Sequence, residues 1–225
     1  MNSEMLNPKP VVIIGQANSA SLMHHALIHD SDYEVAGFAV EQEYMQDDCF
    51  EGLPVVAFEQ LESRFPADDF QLINPIGYYQ VNSARRRLFE QAKAWGYEFA
   101  NYISSRASVW PDLVLGENVI IYEHAIIQAH ARIGDNVIIR AGANISHHCE
   151  VAAHSFIANN VTLGGKVRLG EQTFLGLASV VIDQLDIAPR SFVGAGAVVI
   201  KPTEEWGIYV GNPARKLKKS AQEKN

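Results

Sequence analysis

The chain reads as an α/β domain with a small, Rossmann-like parallel sheet over residues 1–105, followed by a parallel β-helix of hexapeptide repeats over residues 106–225. Three observations predict this. The first hundred residues alternate short apolar runs with stretches of helical periodicity. An aliphatic residue then recurs at every sixth position from Val109 to Val199. The change between the two rhythms is abrupt and falls after Arg106.

In the first part, Val11-Val12-Ile13-Ile14 is an apolar run closed by Gly15, as a buried parallel strand would be. A helix is predicted from about Ser19 to His29, and strands over Tyr33–Val40 and Phe70–Ile76. Asn82 has the chemistry of a helix N-cap. Ala84, Leu88, Phe89, Ala92 and Trp95 then form one apolar face, with Gly96 just past the end. Tyr97–Ile103 can return as a strand. Strand, helix, strand, strand, helix, strand describes an α/β unit with a mostly parallel sheet.

From Val109 onward the sixth-residue series is unbroken: 109, 115, 121 and so on to 199 are all Val, Leu or Ile. Two positions before each stands a residue such as Ala, Val, Ser, Thr or Cys, with an occasional Leu. Neither an α-helix nor an ordinary strand has a period of six, but a hexapeptide β-helix does. Each segment makes one short strand and one turn, and three segments make a triangular coil of eighteen. The aliphatic residue fills the prism, while Gly and Asn near the corners accept the backbone of sharp turns. Ala107 to Gly196 then supplies five coils, roughly 24 Å of stacked rungs. After Val199 the pattern breaks. Gly207–Val210 is expected to be extended, and Arg215–Lys219 forms a basic end.

Composition narrows the function. Apolar residues are 48% and charged residues 20% of the 225, which is ordinary for a folded chain. The formal net charge of −8 argues against nucleic acid as a main partner. Cys49 and Cys149 stand far apart and in no CxxC pair, against a disulfide framework or a cysteine zinc module and in keeping with a reducing cytoplasm. No apolar run approaches the roughly 18 residues of a membrane span, so membrane insertion is not expected. Met1–Lys9 is polar and lacks the apolar stretch of a signal peptide.

Five segments carry a resemblance that covers nearly the whole chain. They are Gly15-Gln16-Ala17-Asn18-Ser19, Gly52-Leu53-Pro54-Val55-Val56, the hexapeptide run, Ser146-His147-His148-Cys149 and the closing Val210-Gly211-Asn212-Pro213-Ala214. The chain resembles the hexapeptide-repeat sugar acetyltransferases, and more narrowly the family of sialic acid O-acetyltransferases and bacillosamine-type nucleotide-amino-sugar N-acetyltransferases. The resemblance implies a left-handed β-helix and a homotrimer. It implies acetyl-CoA as co-substrate in clefts between prisms, no metal, and an N-terminal domain that holds the nucleotide part of a UDP- or dTDP-linked amino sugar for bacterial surface glycans.

Acetyl transfer to an amine is aminolysis of a thioester. The amine must lose a proton as it attacks, so a general base helps. A backbone N–H can steady the oxyanion, and holding two substrates together supplies much of the remaining acceleration. His147, two residues after the inward Ile145, is the candidate base; it is also the kind of residue found as a solvated corner histidine. The resemblance places the family's catalytic histidine here, first in a His-x-Cys pattern. His148 stands where relatives commonly carry an acidic residue. It either orients His147 by hydrogen bonding or merely stacks on His130, eighteen residues and so one coil away.

The same spacing puts Gly165 one coil from His147, where a missing side chain opens room beside the base. Leu177 and Ala195 are also eighteen apart. By resemblance Gly165, Leu177 and Ala195 match positions whose backbones contact acetyl-CoA; plain turn geometry accounts for them equally. Phe156 replaces a cofactor-contacting histidine of the bacillosamine enzymes, and His154 lies two residues earlier; the role passes to neither. Lys201 and the basic tail would meet the phosphates of CoA or simply be solvated.

For the nucleotide sugar, Gly15, Gln16, Ala17 and Asn18 join a strand to a helix whose first N–H groups suit a diphosphate. GxGxxG is absent, which counts against NAD. Glu41 at a strand end suits a ribose hydroxyl or a base edge, and Tyr78 could stack on a base or pack. His24, His25 and His29 read as structural. Three other functions remain open: a sugar O-acetyltransferase, a zinc enzyme like the γ-class carbonic anhydrases using histidines such as His124, His130, His147, His148 and His154, and a non-catalytic trimer that binds a nucleotide sugar.

Overall fold

The structure is a computed structural model and describes residues 9–224; the polar segment before Lys9 lies outside them. The chain divides into two compact units. One comprises the residues up to Ile76 together with Ala92–Ala100, and the other comprises Gly77–Gln91 and everything from Asn101 on.

The first unit is the α/β domain. Its elements are β1 (Val11–Ile14), α1 (Asn18–Asp30), β2 (Val35–Val40), β3 (Cys49–Phe50), β4 (Leu53–Ala57), α2 (Leu61–Arg64) and β5 (Gln71–Ile73). The sheet order is β3-β4-β2-β1-β5, parallel except for the β3–β4 hairpin. β1 lies inside the sheet between β2 and β5, and Val11, Val12, Ile13 and Ile14 are all buried, as a strand covered on both faces requires. Met23 and Leu27 of α1 are buried as well.

The second helix differs from its prediction. α3 runs Tyr79–Ala94, but Gln80, Val81 and Asn82 have left-handed backbone, with φ of 50°, 49° and 66°. Asn82 is therefore not an N-cap. Its side chain is spent elsewhere, donating to the Thr173 carbonyl and accepting from Arg85. The expected strand Tyr97–Ile103 also splits. Phe99 makes an isolated bridge to Leu72 in the first unit, and β6 (Tyr102–Ile103) pairs with Ile120–Ile121 in the second.

The second unit is a left-handed parallel β-helix. Two-residue strands eighteen positions apart stack in register, for example Asn144↔Thr162 and Ile145↔Leu163. Three sheets form its walls. Every sixth residue from Ile121 to Val199 points inward and is at most 2% exposed. Val109 and Leu115, in the first coil, are half-buried.

The corners follow an equally strict rule. Every sixth residue from Asn118 to Gly196 has positive φ, whatever its type. Asn and Gly were expected there, but His124, His130, His148, His154, Lys166 and Arg190 take the same conformation. The stacked coils over-determine it, because the N–H of one corner residue donates to a carbonyl of the coil before, as His148 does to Ala129. At the far end Gly207–Val210 pairs with Phe192–Val193, and the basic tail Arg215–Ser220 folds back on it as an exposed antiparallel strand.

Candidate active site

His147 and His148 stand at a corner of the prism, just past the strand Asn144–Ile145, where a side chain cannot turn inward. The His147 N–H donates to Gln128 Oε1 at 3.1 Å, which fixes its backbone. Its ring Nδ1 lies 3.1 Å from Nδ1 of His148, so one proton is shared along that line. Both side chains are solvent-exposed. The second residue of the pair does both things considered for it, since the His148 ring also packs on His130 with centroids 4.6 Å apart.

His148 belongs to a column that runs down this corner, one residue per coil: Asp112, His130, His148 and Lys166. Asp112 Oδ2 lies 2.8 Å from His130 Nδ1 and accepts the His130 backbone N–H at 2.8 Å. Loss of surrounding water, then positive charge on His130, His147 and Lys166, lowers the His148 pKa from the usual histidine value, against the opposing pull of Asp112. Neutral His148 has one ring nitrogen able to accept.

Gly165 borders the other side of the base. A Cβ there would come within 2.7 Å of His147 Cε1 and 2.8 Å of Nε2, so any other residue would displace the ring. Its N–H donates to Asp183 Oδ1 at 2.9 Å. Cys149, third in the His-x-Cys pattern, is buried and its Sγ meets the Gly164 carbonyl; burial pushes its thiol up, as in an inert structural cysteine. Leu177 and Ala195 are exposed, but they lie at a different corner from His147 and Gly165, two-thirds of a coil away in sequence.

His154 is not near this corner chemistry. It is buried and accepts at Nδ1 from Asn136 Nδ2, which fixes its neutral tautomer. Desolvation, and then Arg86, lowers its pKa. Beside it Arg85 is fully buried and reaches the carbonyls of Gly77, Asn136, His154 and Ser155. Tyr78 lies 4.4 Å from Phe174 between ring centroids and 5.5 Å from Phe156, in a stack that continues to Phe192. One face of that phenol is thus already engaged.

In the first unit, Gly15 has φ 118° and donates to the Ala39 carbonyl at 2.7 Å. Ala17 precedes α1 and no side chain caps that helix. Asn18 is exposed and Glu41 half-buried at the end of β2. Gln16 stands in the loop expected to offer backbone N–H groups to a diphosphate, and its side chain turns away from that role. That amide is buried and spent on the following loop, donating to the Asp47 carbonyl and accepting from the Gln46 N–H, both at 2.9 Å.

The GMPPB C-terminal domain profile matches residues 98–202. PerB from Caulobacter crescentus, solved with CoA and GDP-perosamine, is 30% identical over 92% of this chain and 97% of that one, with a TM-score of 0.81. A histidine-to-asparagine mutant of perosamine N-acetyltransferase from the same organism is 28% identical over 93% and 97%, with a TM-score of 0.83. The chain belongs to the hexapeptide-repeat nucleotide-amino-sugar N-acetyltransferases. The acetyltransferase domain of PglB from Neisseria gonorrhoeae FA1090 shares the fold of this N-acetyltransferase, at 24% identity over 93% and 100% and a TM-score of 0.81.

Sequence reasoning on this N-acetyltransferase missed Asp112, Gln128, Asp183 and Arg85. The first was within reach: the eighteen-residue step that leads from His148 to His130 leads next to Asp112. Gln128 and Asp183 act through hydrogen bonds to turn amides, which a period in hydrophobicity does not report. Among the described residues, no group of three or more His, Cys, Asp or Glu is placed to hold a metal ion, and no helix is long and apolar enough to cross a membrane.

Proposed function

We propose that this acyltransferase moves the acetyl group of acetyl-CoA to the amine of a nucleotide-linked amino sugar, with His147 as general base. The observation that carries the reading is the placement of the His147 ring. Its Nδ1 meets His148, and its Nε2 borders the space that Gly165 leaves. With Nδ1–H donated to His148, Nε2 keeps its lone pair and takes the proton that the amine loses on attack. The thiolate of CoA is a good leaving group, so no separate acid is needed to expel it.

The backbones of Gly165, Leu177 and Ala195 are proposed to line the acetyl-CoA path. Because the last two sit at another corner of the prism, a site that uses all three is completed by a second copy, which supports a homotrimer. Gly15, Ala17 and Asn18 at the start of α1, with Glu41, are proposed to hold the nucleotide; Gln16 contributes by shaping their loop. PerB was solved with a GDP sugar, so guanosine joins uridine and thymidine as candidate bases. We assign the chain to the cytoplasm, a reading supported by its two cysteines, Cys49 and Cys149, both of which are free thiols.

The test is thiol release from acetyl-CoA in the presence of UDP-, dTDP- and GDP-linked amino sugars and of free sialic acid. Acceleration by a nucleotide-linked amine is expected. Acceleration by sialic acid alone would make the enzyme an O-acetyltransferase.

A further inference from the structure

The acidic partner that relatives commonly place directly after the catalytic histidine is absent from this chain, yet a carboxylate stands in the same corner column two coils away. Asp112 Oδ2 meets one residue twice: it accepts the His130 backbone N–H at 2.8 Å and lies 2.8 Å from His130 Nδ1. That double contact locks the His130 ring and leaves it facing His148, with 4.6 Å between centroids. His148 in turn lies at hydrogen-bond distance from His147. The column exists because residues eighteen apart stack on successive coils, and its members His130, His148 and Lys166 share the left-handed backbone that aims them the same way.

We propose that Asp112 and His130 are positioning residues for acyl transfer, which hold His148 as the acceptor of the His147 Nδ1 proton and so keep the lone pair of His147 on Nε2. The proposal rests on His147 being the base. The proton balance is simple. Before the reaction, His147 carries its proton on Nδ1 and donates it to Nδ1 of His148. After the amine is deprotonated, His147 carries protons on both nitrogens, and the Nδ1–H···Nδ1 bond persists. If His148 were an imidazolium, its own Nδ1–H would point at His147, the His147 proton would shift to Nε2, and the base would be lost.

The charged and titratable groups around His148 are His130, His147, Lys166 and Asp112. Desolvation first, and then the first three of these, disfavour its imidazolium, while Asp112 favours it. Removing His130 takes away one of the groups that disfavour the imidazolium and loosens the packing against the His148 ring. His148 then titrates nearer the usual histidine value, and the acidic limb of the rate profile moves to higher pH.

The experiment compares wild type with His130→Asn, Asp112→Ala, the double variant and His147→Ala, each over pH 5.5–9. Asn accepts left-handed backbone, so His130→Asn keeps the corner. Thermal midpoints check the fold. We expect kcat for His130→Asn to fall on the order of 10-fold near neutrality, with KM for acetyl-CoA unchanged and activity recovered at high pH. Asp112→Ala should lose less, and nothing further in the His130→Asn background, because it acts through that ring. ¹⁵N spectra of the wild-type imidazoles should show His147 protonated at Nδ1.

An acidic limb that stays put in His130→Asn, losses that multiply in the double variant, or a His147 proton on Nε2 would each overturn the proposal. Should His147→Ala keep full turnover, the assignment of the base itself falls. Loss in His147→Ala with none in His130→Asn discards only the column.

Discussion

Nδ1 of His147 and Nδ1 of His148 lie 3.1 Å apart, too close for both to carry protons. One ring must therefore act as acceptor; desolvation and then the positive neighbours His130, His147 and Lys166 disfavour a second proton on His148. Replacing His147 with Asn removes the nitrogen that would take the substrate proton. A general base contributes on the order of 10²-fold or more, so kcat should drop by about that factor while both KM values stay within about twofold. Steady-state kinetics with a nucleotide-linked amino sugar reads this directly. A large KM effect with little change in kcat would make His147 a binding residue.

Gly165 gives a second prediction with a different signature. Its backbone conformation suits any residue, but a Cβ would stand 2.7–2.8 Å from the His147 ring. Gly165→Ala should therefore fold normally and push the imidazole aside. A misplacement of about 1 Å costs on the order of 10²-fold in turnover. The thermal midpoint should stay within a few degrees of wild type. Unchanged kcat would mean that the ring has room to move without loss.

The period of six reaches the reader of the sequence because it is enforced by the prism interior, where only an aliphatic side chain fits. Side chains on the outside answer to no such rule. His130 is found by counting one coil down from His148, and Asp112 by counting one more, but only their distances show that they join. Asn82 illustrates the opposite case. It has the residue type of a cap, and left-handed backbone takes it out of that role, because Thr173 and Arg85 claim its amide. Gln16 follows the first strand in the loop leading to α1, and its side chain serves the loop at Gln46–Asp47. Local chemistry names such residues as candidates; the partner that wins them is distant in sequence.

His154 should contribute to the acid sensitivity of the β-helix unit. Desolvation first, and then Arg86, lowers its pKa below the usual value near 6.5, while Glu90 opposes them. Below about pH 6.5 the unfolded chain takes up a proton at this residue that the folded chain refuses. Stability is therefore lost as the pH falls through that region, at no more than about 1.4 kcal/mol per pH unit for one such group. His154→Gln keeps an acceptor for Asn136 and does not titrate; Gln172 already holds the same corner conformation one coil on. Its thermal midpoint should fall less steeply than that of wild type between pH 7 and pH 5. Parallel slopes would assign the acid sensitivity to other groups.

Arg85 is the strongest test of how the start of α3 is fastened to the coils. Its guanidinium is fully buried, and burial lowers its pKa to about 9, so it is still charged at neutral pH. The planar fork serves carbonyls on Gly77, Asn136, His154 and Ser155 together with Asn82 Oδ1, and it lies 5.7 Å from the Phe156 ring centroid. Arg85→Met fills similar volume but leaves several buried acceptors without a donor. Each such group costs about 1–3 kcal/mol, so the variant should lose about 3 kcal/mol or more. Arg85→Lys keeps the charge, but an ammonium is a point with three donors and cannot serve so many acceptors at these separations. It should also destabilise, by about 2 kcal/mol or more. Urea unfolding should be followed by hydrogen exchange at Val81–Leu88 as well as by a global signal, because two units need not unfold together. If Arg85→Lys matched wild type, charge alone would account for the site and the directional reading of its hydrogen bonds would fail.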